Sequence, residues 1–228
     1  MAIIKTEEEI EKLRRAALLA DKCFEHICNF IKPGMTEKMI AEEMNDFFMK
    51  NGASGLSFDT IVGAGKNSAF IHSTPTDNII QDQDIILLDF GCVLDGYCSD
   101  TSRTIFVGGI TDKQKEIYDL VNFAHDNAVK KIRIKDSLQI ADAYGRKNIQ
   151  DAGYDYAHAL GHGVGVEVHE DPVLSPKREG ILEENMVFTI EPGIYLENEF
   201  GIRIEDTGVL TKEGIKLFSN ASRKIIVL

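Results

Sequence analysis

Two aspartates stand out in the apolar segment IILLDFGCVLDGYCSDTSRTIFVG. The segment predicts two strands joined at Asp95-Gly96, because an Asp-Gly pair between apolar runs is a strong hairpin signal. A two-residue loop there pairs Asp89 with Ser102 and makes Asp89 and Asp100 diagonal neighbours on one face. Two buried carboxylates placed side by side repel each other unless a cation lies between them. We therefore expect a divalent metal ion at this hairpin.

Three of the six histidines fall in one glycine-rich stretch, HALGHGVGVEVH, as His158, His162 and His169. Glycines on both sides of His162 permit close backbone approach and unusual dihedral angles around one imidazole ring. Taken alone, the stretch is equally well explained by a glycine-rich turn that carries histidines by chance. His26 and His125 lie on predicted helices among charged residues, so we expect them at the surface or at the edge of the core.

A second pair of carboxylates follows later in the chain, with Glu191 in VFTIEPG and Glu205 in RIED. Glu191 ends a run of β-branched and aromatic residues, where a lone carboxylate is an uncommon core residue. One interpretation makes both glutamates metal ligands. The other pairs Glu191 with Arg203 in a buried salt bridge, because buried charges are commonly paired.

The carboxylates and one imidazole form a combination that is more specific than any member of it. The set consists of Asp89, Asp100, His162, Glu191 and Glu205. Hard oxygen ligands with one imidazole suit Mn²⁺, Co²⁺, Fe²⁺ or Zn²⁺ better than a thiolate-preferring ion. Four carboxylates would balance the charge of two divalent cations. Such a pair of ions can lower the pKa of a shared water and stabilise attacking and leaving oxygens, so the set predicts hydrolysis.

The elements that position these residues follow a helix, helix, sheet order that occurs twice. Capping boxes at Thr6 and Thr111 begin the first and third helices, Thr36 begins the second, and Asp136 or Ser137 begins the fourth. A β-rich block at about 58–107 follows the first helix pair and another at 157–228 follows the second. Within the later block, strands are predicted at 165–169, 186–195, 202–210 and 224–228.

This segregation of helices and strands favours an α+β fold with two structurally similar halves, a mostly antiparallel curved sheet and helices outside it. No stretch is rich enough in proline, serine or charge to be a linker. Residues 1–228 therefore read as a single domain.

The composition excludes several classes of protein. The chain has 228 residues, 43% of them hydrophobic, and a formal net charge of −12, which argues against nucleic acid or an anionic membrane as the main partner. The four cysteines form no CxxC pair and resemble no disulfide framework. The charged N-terminus lacks the apolar core of a signal peptide, and no apolar run approaches the roughly 18 residues of a membrane span. We expect a cytoplasmic protein.

The motifs DFG-x₈-D, GHGVG, TIEPG and RIED, in this order, resemble the pita-bread metallopeptidase family. That family includes methionine aminopeptidase, aminopeptidase P, prolidase and creatinase. The fuller wording LLDFG, HALGHGVGVEVHE, MVFTIEPGIY and GIRIEDT resembles its Xaa-Pro branch, meaning prolidase and aminopeptidase P. The resemblance covers essentially the whole chain. It implies the pita-bread fold, with two pseudo-symmetric halves, and a single catalytic domain over residues 1–228.

The resemblance also implies a two-metal centre held by Asp89, Asp100, His162, Glu191 and Glu205. Asp100 and Glu205 match the family's bridging positions. Asp89 belongs to one metal, and His162 with Glu191 to the other. We expect Mn²⁺, with Co²⁺, Zn²⁺ or Fe²⁺ as alternatives.

Catalytic and substrate-binding roles are implied for residues around these ligands. Glu191 resembles the family's general base. His72 matches a histidine that binds substrate and protonates the leaving nitrogen, and His169 matches one that stabilises the tetrahedral intermediate. His158 matches a substrate-pocket histidine of aminopeptidase P, and Arg203 matches an arginine near the metal-binding glutamate that orients the substrate-binding site.

The implied function is that of a metal-dependent exopeptidase, an Xaa-Pro dipeptidase or Xaa-Pro aminopeptidase, that uses a hydroxide shared by two metal ions. A methionine aminopeptidase is an alternative because of the chain's length, although GIYLE and RIED do not resemble that branch. A non-catalytic peptide- or protein-binding member of the fold is another. Such members typically lose metal ligands, and none is missing here. The sequence leaves open the choice between dipeptidase and aminopeptidase.

One departure from the Xaa-Pro branch concerns the N-terminus, since relatives usually carry a further domain before the catalytic unit. We expect that this domain either was removed or is naturally absent. The expected partners are small peptide substrates, without nucleic acid or membrane, and the sequence leaves open whether the chain forms a homodimer.

Overall fold

The computed structural model describes residues 4–228, and in this range the chain forms two pairs of α-helices. The helices are α1 Glu7–Phe30, α2 Glu37–Lys50, α3 Asp112–Lys131 and α4 Leu138–Asp151. The predicted capping boxes are confirmed: Thr6 and Glu9 cap α1 reciprocally, and Thr111 and Gln114 do the same for α3. Ser137 caps α4 by accepting a hydrogen bond from a backbone N–H of its first turn.

Each helix pair is followed by short strands, which confirms the predicted helix, helix, sheet order. The first half contains β1 Gly55–Leu56, β2 Ile61–Ala64, β3 Ile85–Phe90, β4 Cys92–Leu94, β5 Tyr97–Cys98 and β6 Thr101–Phe106. The second half contains β7 Gly161–Gly163, β8 Glu170–Leu174, β9 Val187–Ile190, β10 Gly193–Leu196, β11 Phe200–Arg203, β12 Asp206–Thr211 and β13 Gly214–Leu217.

The strands are arranged as small sheets in which all neighbouring strands are antiparallel. Their orders are β2-β3-β6 and β1-β4-β5 in the first half, and β13-β12-β9-β7-β8 and β10-β11 in the second. Helices α1 and α2 pack on the first sheet and α3 and α4 on the later strands, so each half has its own apolar core. This arrangement is the mostly antiparallel α+β architecture that the sequence predicts.

The hairpin has the predicted turn and register. Asp95 and Gly96 both have positive φ angles, 52° and 80°, as a two-residue type I′ turn requires. Leu94 pairs with Tyr97 across that turn, and Asp89 pairs with Ser102 farther along. The two arms are nevertheless interrupted, so that β3 and β4 belong to one arm and β5 and β6 to the other.

The prediction of single strands at 186–195 and 202–210 is wrong. The first is split into β9 and β10 and the second into β11 and β12. Proline at 192 cannot donate to a strand ladder, which is one reason for the first interruption. Glu191 and Glu205 both lie at these interruptions.

Two other strand predictions are also wrong. Residues 165–169 form bends after β7 instead of a strand, and 224–228 contribute only an isolated parallel bridge between Val227 and Phe106. The C-terminal segment still hydrogen-bonds along β6, since the backbone N–H of Phe106 donates to Ile226 and that of Leu228 donates to Phe106. Its place therefore depends on contacts distant in sequence, which a local pattern cannot reveal.

The two halves meet along β6, β11 and the start of β12. The backbone N–H of Glu205 donates to the carbonyl oxygen of Ser102 at 3.0 Å, and Thr104 exchanges hydrogen bonds with Arg203. No helix among residues 4–228 is long and apolar enough to cross a membrane.

His125 differs from its predicted position at the surface or core edge. It lies on α3 and is completely buried, with Nε2 at 3.1 Å from Asp206 Oδ2. The partner carboxylate comes from a distant strand, so the local sequence around His125 gives no sign of this contact.

Candidate metal centre

One large cavity, of about 930 Å³, is lined by every residue that the sequence assigns to the site. Those residues are His72, Asp89, Asp100, His158, His162, His169, Glu191, Arg203 and Glu205. They come from both halves of the chain, so the cavity forms only when the halves associate.

The hairpin brings Asp89 and Asp100 to the cavity. Asp89 is near the end of β3, and Asp100 lies directly before β6, where it is 4% exposed. A Cβ at Gly91 would clash with the carbonyl oxygen of Ser99, so close approach of the two arms requires glycine at this point. The hydroxyl of Thr207 donates to the carbonyl oxygen of Asp100 at 2.9 Å, which ties this turn to the second half.

The second half contributes His162 from β7, with glycines on either side that permit close packing. A Cβ at Gly161 would clash with the carbonyl oxygen of Thr189 on β9. The backbone N–H of His162 donates to Thr189 Oγ1 at 3.1 Å, which fixes β7 against β9, the strand that ends directly before Glu191. The glycine-rich wording of the sequence therefore reflects close strand packing around one imidazole.

Three of the predicted ligands converge closely enough to hold a metal ion. Single donor atoms of Asp100, His162 and Glu205 all lie within 4.8 Å of one another. Glu191 lies beside them, since His162 Nε2 is 3.4 Å from Glu191 Oε1 and 3.4 Å from Asp100 Oδ2.

The neutral form of His162 presents a hydrogen-bond acceptor to this cluster. Its Nδ1 lies 3.1 Å from the carbonyl oxygen of Gly163, so Nδ1 carries the hydrogen and donates it. Burial lowers the pKa of His162 to about 4, so the ring is neutral near pH 7. Its Nε2 then presents a lone pair toward the carboxylates of Asp100 and Glu191. Acceptors that face one another in this way require either a proton or a metal ion between them.

The carboxyl groups show the same requirement. Burial, followed by the charges of Glu205 and Asp89, holds the pKa of Asp100 well above its ordinary value. Burial and the charge of Asp89 raise the pKa of Glu205 to about 8. Burial, then the charge of Glu205, also raises the pKa of Glu191 well above its ordinary value. A divalent cation would reverse these shifts, so the residues present fit a divalent metal ion.

Arg203 pairs with Asp89 rather than with Glu191, the partner in the alternative interpretation. Arg203 Nη2 donates to Asp89 Oδ2 at 2.5 Å, and the arginine is only 2% exposed. The other oxygen of Asp89, Oδ1, is buried and has no hydrogen-bond partner. An orphaned carboxylate oxygen at the edge of an acidic cluster is suited to coordinate a cation.

The remaining candidate histidines differ in exposure. His72 and His169 are exposed on the cavity wall, and His169 lies against His162 with ring centroids 4.3 Å apart. His158 is half-buried, and its Nδ1 is 4.0 Å from Glu191 Oε2. His72 and His169 are therefore accessible to a molecule in the cavity.

Tyr195 belongs to the site although the sequence interpretation gave it no role. His158 Nδ1 donates to the carbonyl oxygen of Ala159 at 2.8 Å, and burial lowers the pKa of His158 to about 4. Its Nε2 is therefore an acceptor, which receives the hydroxyl hydrogen of Tyr195 at 2.9 Å. The same hydroxyl accepts from Arg203 Nη1 at 2.7 Å.

Ser102 is a second residue that sequence reasoning missed. Its hydroxyl donates to Glu205 Oε2 at 2.7 Å and accepts from Arg203 Nε at 2.8 Å. Because an arginine can only donate, the hydrogen bonds run outward from Arg203 to Asp89, to Glu205 through Ser102, and to His158 through Tyr195. Ser102 lies in the motif SDTSRT and Tyr195 lies in GIYLE, but only their tertiary contacts show that they belong to the site.

The antiparallel α+β fold and the carboxylate and histidine cluster define a protein built to bind divalent metal. Residues 11–212 match the model of metallopeptidase family M24, so the chain belongs to that family.

Individual relatives agree with this membership. The chain is 42% identical over 229 residues to the Xaa-Pro dipeptidase of Lactobacillus delbrueckii subsp. lactis, covering 99% of this chain and 62% of that protein. Among solved structures, the X-Pro aminopeptidase from Thermotoga maritima MSB8 matches with a TM-score of 0.97 and 39% identity, covering 99% of this chain and 65% of that one. The Xaa-Pro dipeptidase from Bacillus anthracis matches with a TM-score of 0.97 and 42% identity, covering 99% and 64%.

These structural matches confirm the predicted pita-bread fold. The chain spans less than two thirds of the length of each relative. Relatives named as dipeptidase and as aminopeptidase match the fold equally well, so overall likeness does not separate the two specificities.

Proposed function

We propose that residues 1–228 form one catalytic unit, a metal-dependent exopeptidase that cleaves the peptide bond before proline. The observation that carries this proposal is the convergence of acceptor atoms from Asp100, His162 and Glu205 in the large cavity, with Glu191 beside them. Similarity to proteins named Xaa-Pro dipeptidase and X-Pro aminopeptidase supports the choice of substrate.

The proposed metal ligands are Asp89, Asp100, His162, Glu191 and Glu205, and the proposed metals are two Mn²⁺ ions. Oxygen ligands with one neutral imidazole favour Mn²⁺ or a similar ion over one that prefers thiolates. When bound, such ions supply Lewis acidity and lower the pKa of a water molecule. Four carboxylates would neutralise the charge of both ions.

The protein's own groups would handle protons and orient the peptide. We assign Glu191 as the acceptor of the proton from the attacking water, because its carboxylate faces the cavity beside the cluster. The hydroxyl of Thr189, 3.4 Å from Glu191 Oε1, would hold this carboxylate in place.

His72 and His169 would contact the substrate directly, since both are exposed on the cavity wall. In this proposal His72 donates a proton to the leaving nitrogen, and His169 donates a hydrogen bond to the developing oxyanion. His158 and Arg203 shape the pocket less directly, because each forms a hydrogen bond with the hydroxyl of Tyr195.

We infer a cytoplasmic location from the cysteines. Cys23, Cys28, Cys92 and Cys98 are all free thiols in the described structure, and three of them are buried. Free thiols are typical of a reducing compartment.

The test is hydrolysis by the purified protein with added Mn²⁺. Xaa-Pro dipeptides, Xaa-Pro-Xaa tripeptides and Met-Ala-Ser are compared, with Asp100→Ala as the inactive control. We expect cleavage of at least one proline substrate, and the ratio between dipeptide and tripeptide assigns the specificity. Faster cleavage of Met-Ala-Ser would reject the proposal in favour of a methionine aminopeptidase. Metal binding without cleavage of any substrate would instead favour a peptide-binding protein.

A further inference from the structure

Glu37 is a buried carboxylate with an unusual environment. It is the first residue of α2 and is 0% exposed. Within residues 4–228, no ion pair involves it. Burying a carboxylate without a cation costs several kcal/mol unless hydrogen bonds satisfy its oxygens. We therefore expect hydrogen-bond donors around both oxygens of Glu37.

The partners of Glu37 are all hydrogen-bond donors. The backbone N–H of Ala64 donates to Oε1 at 2.8 Å, and that of Thr76 donates to Oε2 at 2.9 Å. The Thr76 hydroxyl adds a bond of 2.6 Å to Oε2. The side-chain amides of Asn67 and Asn78 donate to Oε1 at 2.9 and 3.2 Å. A carboxylate accepts all of these bonds, whereas a carboxamide would present a donor to other donors.

These donors lie at the two ends of one segment, residues 64–78, which we call the cavity loop. One end comprises Ala64 and Asn67, and the other comprises Thr76 and Asn78. The start of α2 adds two backbone hydrogen bonds to the second end. The N–H of Glu37 donates to the carbonyl oxygen of Asn78, and the N–H of Lys38 donates to the carbonyl oxygen of Thr76. Glu37 therefore joins the two stems of the loop through one carboxylate.

The middle of the cavity loop faces the candidate site and has little structure of its own. Residues 71–75 line the cavity and belong to no helix or strand. His72 is exposed there, and Arg203 Nη1 contacts the loop through the carbonyl oxygen of Ile71 at 3.3 Å. The part of the loop before residue 71 is held separately, because Gly65–Ala69 form a turn of 3₁₀ helix whose Ser68 hydroxyl accepts from the backbone N–H of Gly201 at 2.9 Å. Residues 71–75 have no helix or strand of their own, so their position depends on the stem that Glu37 holds at Thr76 and Asn78.

We propose that Glu37 is the positioning residue of the cavity loop and that it acts on catalysis by fixing His72 at the cavity wall. The proposal rests on the proposed peptidase function for its kinetic consequence, but the structural part stands independently. Glu37 touches no residue that we assign to the metals, so it should influence substrate turnover without changing metal affinity.

The first experiment compares hydrogen exchange in Glu37→Gln and in Glu43→Gln. Glu43 is the matched control, because it lies on the same helix but pairs with His26, away from the loop. We expect faster exchange in residues 64–78 for Glu37→Gln and unchanged exchange there for Glu43→Gln. Unchanged loop exchange in Glu37→Gln would overturn the proposal, whatever the activity of the protein.

The second experiment is a double-mutant cycle with His72→Ala, measured on the best proline substrate. Alone, Glu37→Gln should lower kcat/KM by roughly 10- to 100-fold. In the His72→Ala background it should lower kcat/KM much less, because the residue it positions is absent. Fully additive losses would overturn the proposal. Titration calorimetry with Mn²⁺ should give the same affinity for the parent protein and Glu37→Gln, and a weakened affinity would also overturn it.

A loop-side variant keeps the proposal testable if Glu37→Gln folds poorly. Thr76→Val removes one donor to Glu37 from an exposed residue and retains the backbone N–H. We expect a smaller change with the same pattern, meaning faster loop exchange, lower kcat/KM and unchanged Mn²⁺ affinity. If the protein cleaves no proline substrate at all, the proposed function fails while the exchange experiment still decides the role of Glu37.

Discussion

Two buried arginines cross between the halves of the molecule and can be compared directly. Arg103, on β6 of the first half, forms an ion pair of 2.6 Å with Asp206 of the second half. Arg203, on β11 of the second half, forms an ion pair of 2.5 Å with Asp89 of the first half. The two arginines are 1% and 2% exposed. Each half therefore supplies the cation for a carboxylate of the other.

The partners of the two arginines differ in one respect, which is whether they face the cavity. Besides Asp206, Arg103 donates to the carbonyl oxygen of Glu205 and to Ser219 and Ala221, which follow β13. None of the side chains that it binds lines the cavity. Arg203 itself lines the cavity, and Asp89 does too. The same buried ion-pair chemistry thus joins the fold in one place and orders the candidate metal centre in the other.

The same difference affects the pKa values of two neighbouring carboxyl groups, Glu205 and Asp206. Burial and the charge of Asp89 raise the pKa of Glu205, which lies in the cavity cluster. Burial alone would raise the pKa of Asp206 as well, but Arg103, His125 and Arg223 outweigh it and hold that pKa well below its ordinary value. The pKa values of these two adjacent residues are shifted in opposite directions, so the direction of the shift depends on the cations that contact each carboxyl group.

The largest expected effect is the loss of stability in Arg103→Met. Removing the arginine leaves Asp206 buried with less compensation, which should lower the free energy of unfolding by about 3–5 kcal/mol. Urea denaturation followed by circular dichroism measures the change. Arg223→Gln is the control, because Arg223 touches the same carboxylate at 2.9 Å but is 27% exposed, and we expect a loss of about 1 kcal/mol. Equal losses in the two variants would contradict the structural role of Arg103.

A loss of metal affinity is expected next, in Arg203→Met. The variant frees Asp89, and it also breaks the hydrogen bonds that reach Glu205 through Ser102. Mn²⁺ affinity measured by calorimetry should fall roughly 100-fold, which is about 2.7 kcal/mol. Arg203→Lys keeps the charge but loses the planar fork, so it should recover part of the affinity. If Arg203→Met lost stability but bound Mn²⁺ normally, the contrast between the two arginines would disappear.

A smaller effect is expected at Ser102, whose hydroxyl links Arg203 to Glu205 through two hydrogen bonds. Ser102→Ala removes the hydroxyl and should weaken Mn²⁺ binding about tenfold. Ser102→Thr retains the hydroxyl and should bind Mn²⁺ more tightly than the alanine variant. Equal affinities for these two variants would show that the hydroxyl does not hold the carboxylate.

The smallest effect is expected from pH alone, measured as the melting temperature of the metal-free protein. Glu205 retains a proton in the folded state up to a pKa of about 8, while its ordinary pKa is 4.5. Its contribution to stability is therefore complete below about 4.5 and is lost as the pH rises through about 8. The lowered pKa of Asp206 has the opposite sign, since its contribution is present above 3.8 and is lost as the pH falls further.

Variants separate these two limbs of the pH profile. Glu205→Gln should reduce the alkaline limb, to which Asp100 and Glu191 with their raised pKa values also contribute, and Arg103→Met should flatten the acidic limb. Added Mn²⁺ should also raise the melting temperature most at alkaline pH, where the carboxyl groups are ionised. An alkaline limb of unchanged size in Glu205→Gln would show that Glu205 does not contribute to it.

Much of the local structure could be predicted because its causes are local. The capping boxes at Thr6 and Thr111 begin their helices as expected, and the Asp95-Gly96 turn gives the hairpin its register. The strands of the second half were predicted less well. Apolar patterning does not show where a strand must break so that Glu191 or Glu205 can face a cavity.

The sequence by itself determined which side chains are available for metal chemistry, since residue type and spacing depend on nothing else. It also determined the fold class, through helix caps and strand patterns that act within a few residues. Only the tertiary structure decided which charges meet. Arg203 lies 114 residues from Asp89 in sequence, and Glu37 lies 39 from Thr76, so neither partnership leaves a local trace. Burial then selects among such partners, because a charge removed from water must be matched by the groups that the fold brings to it.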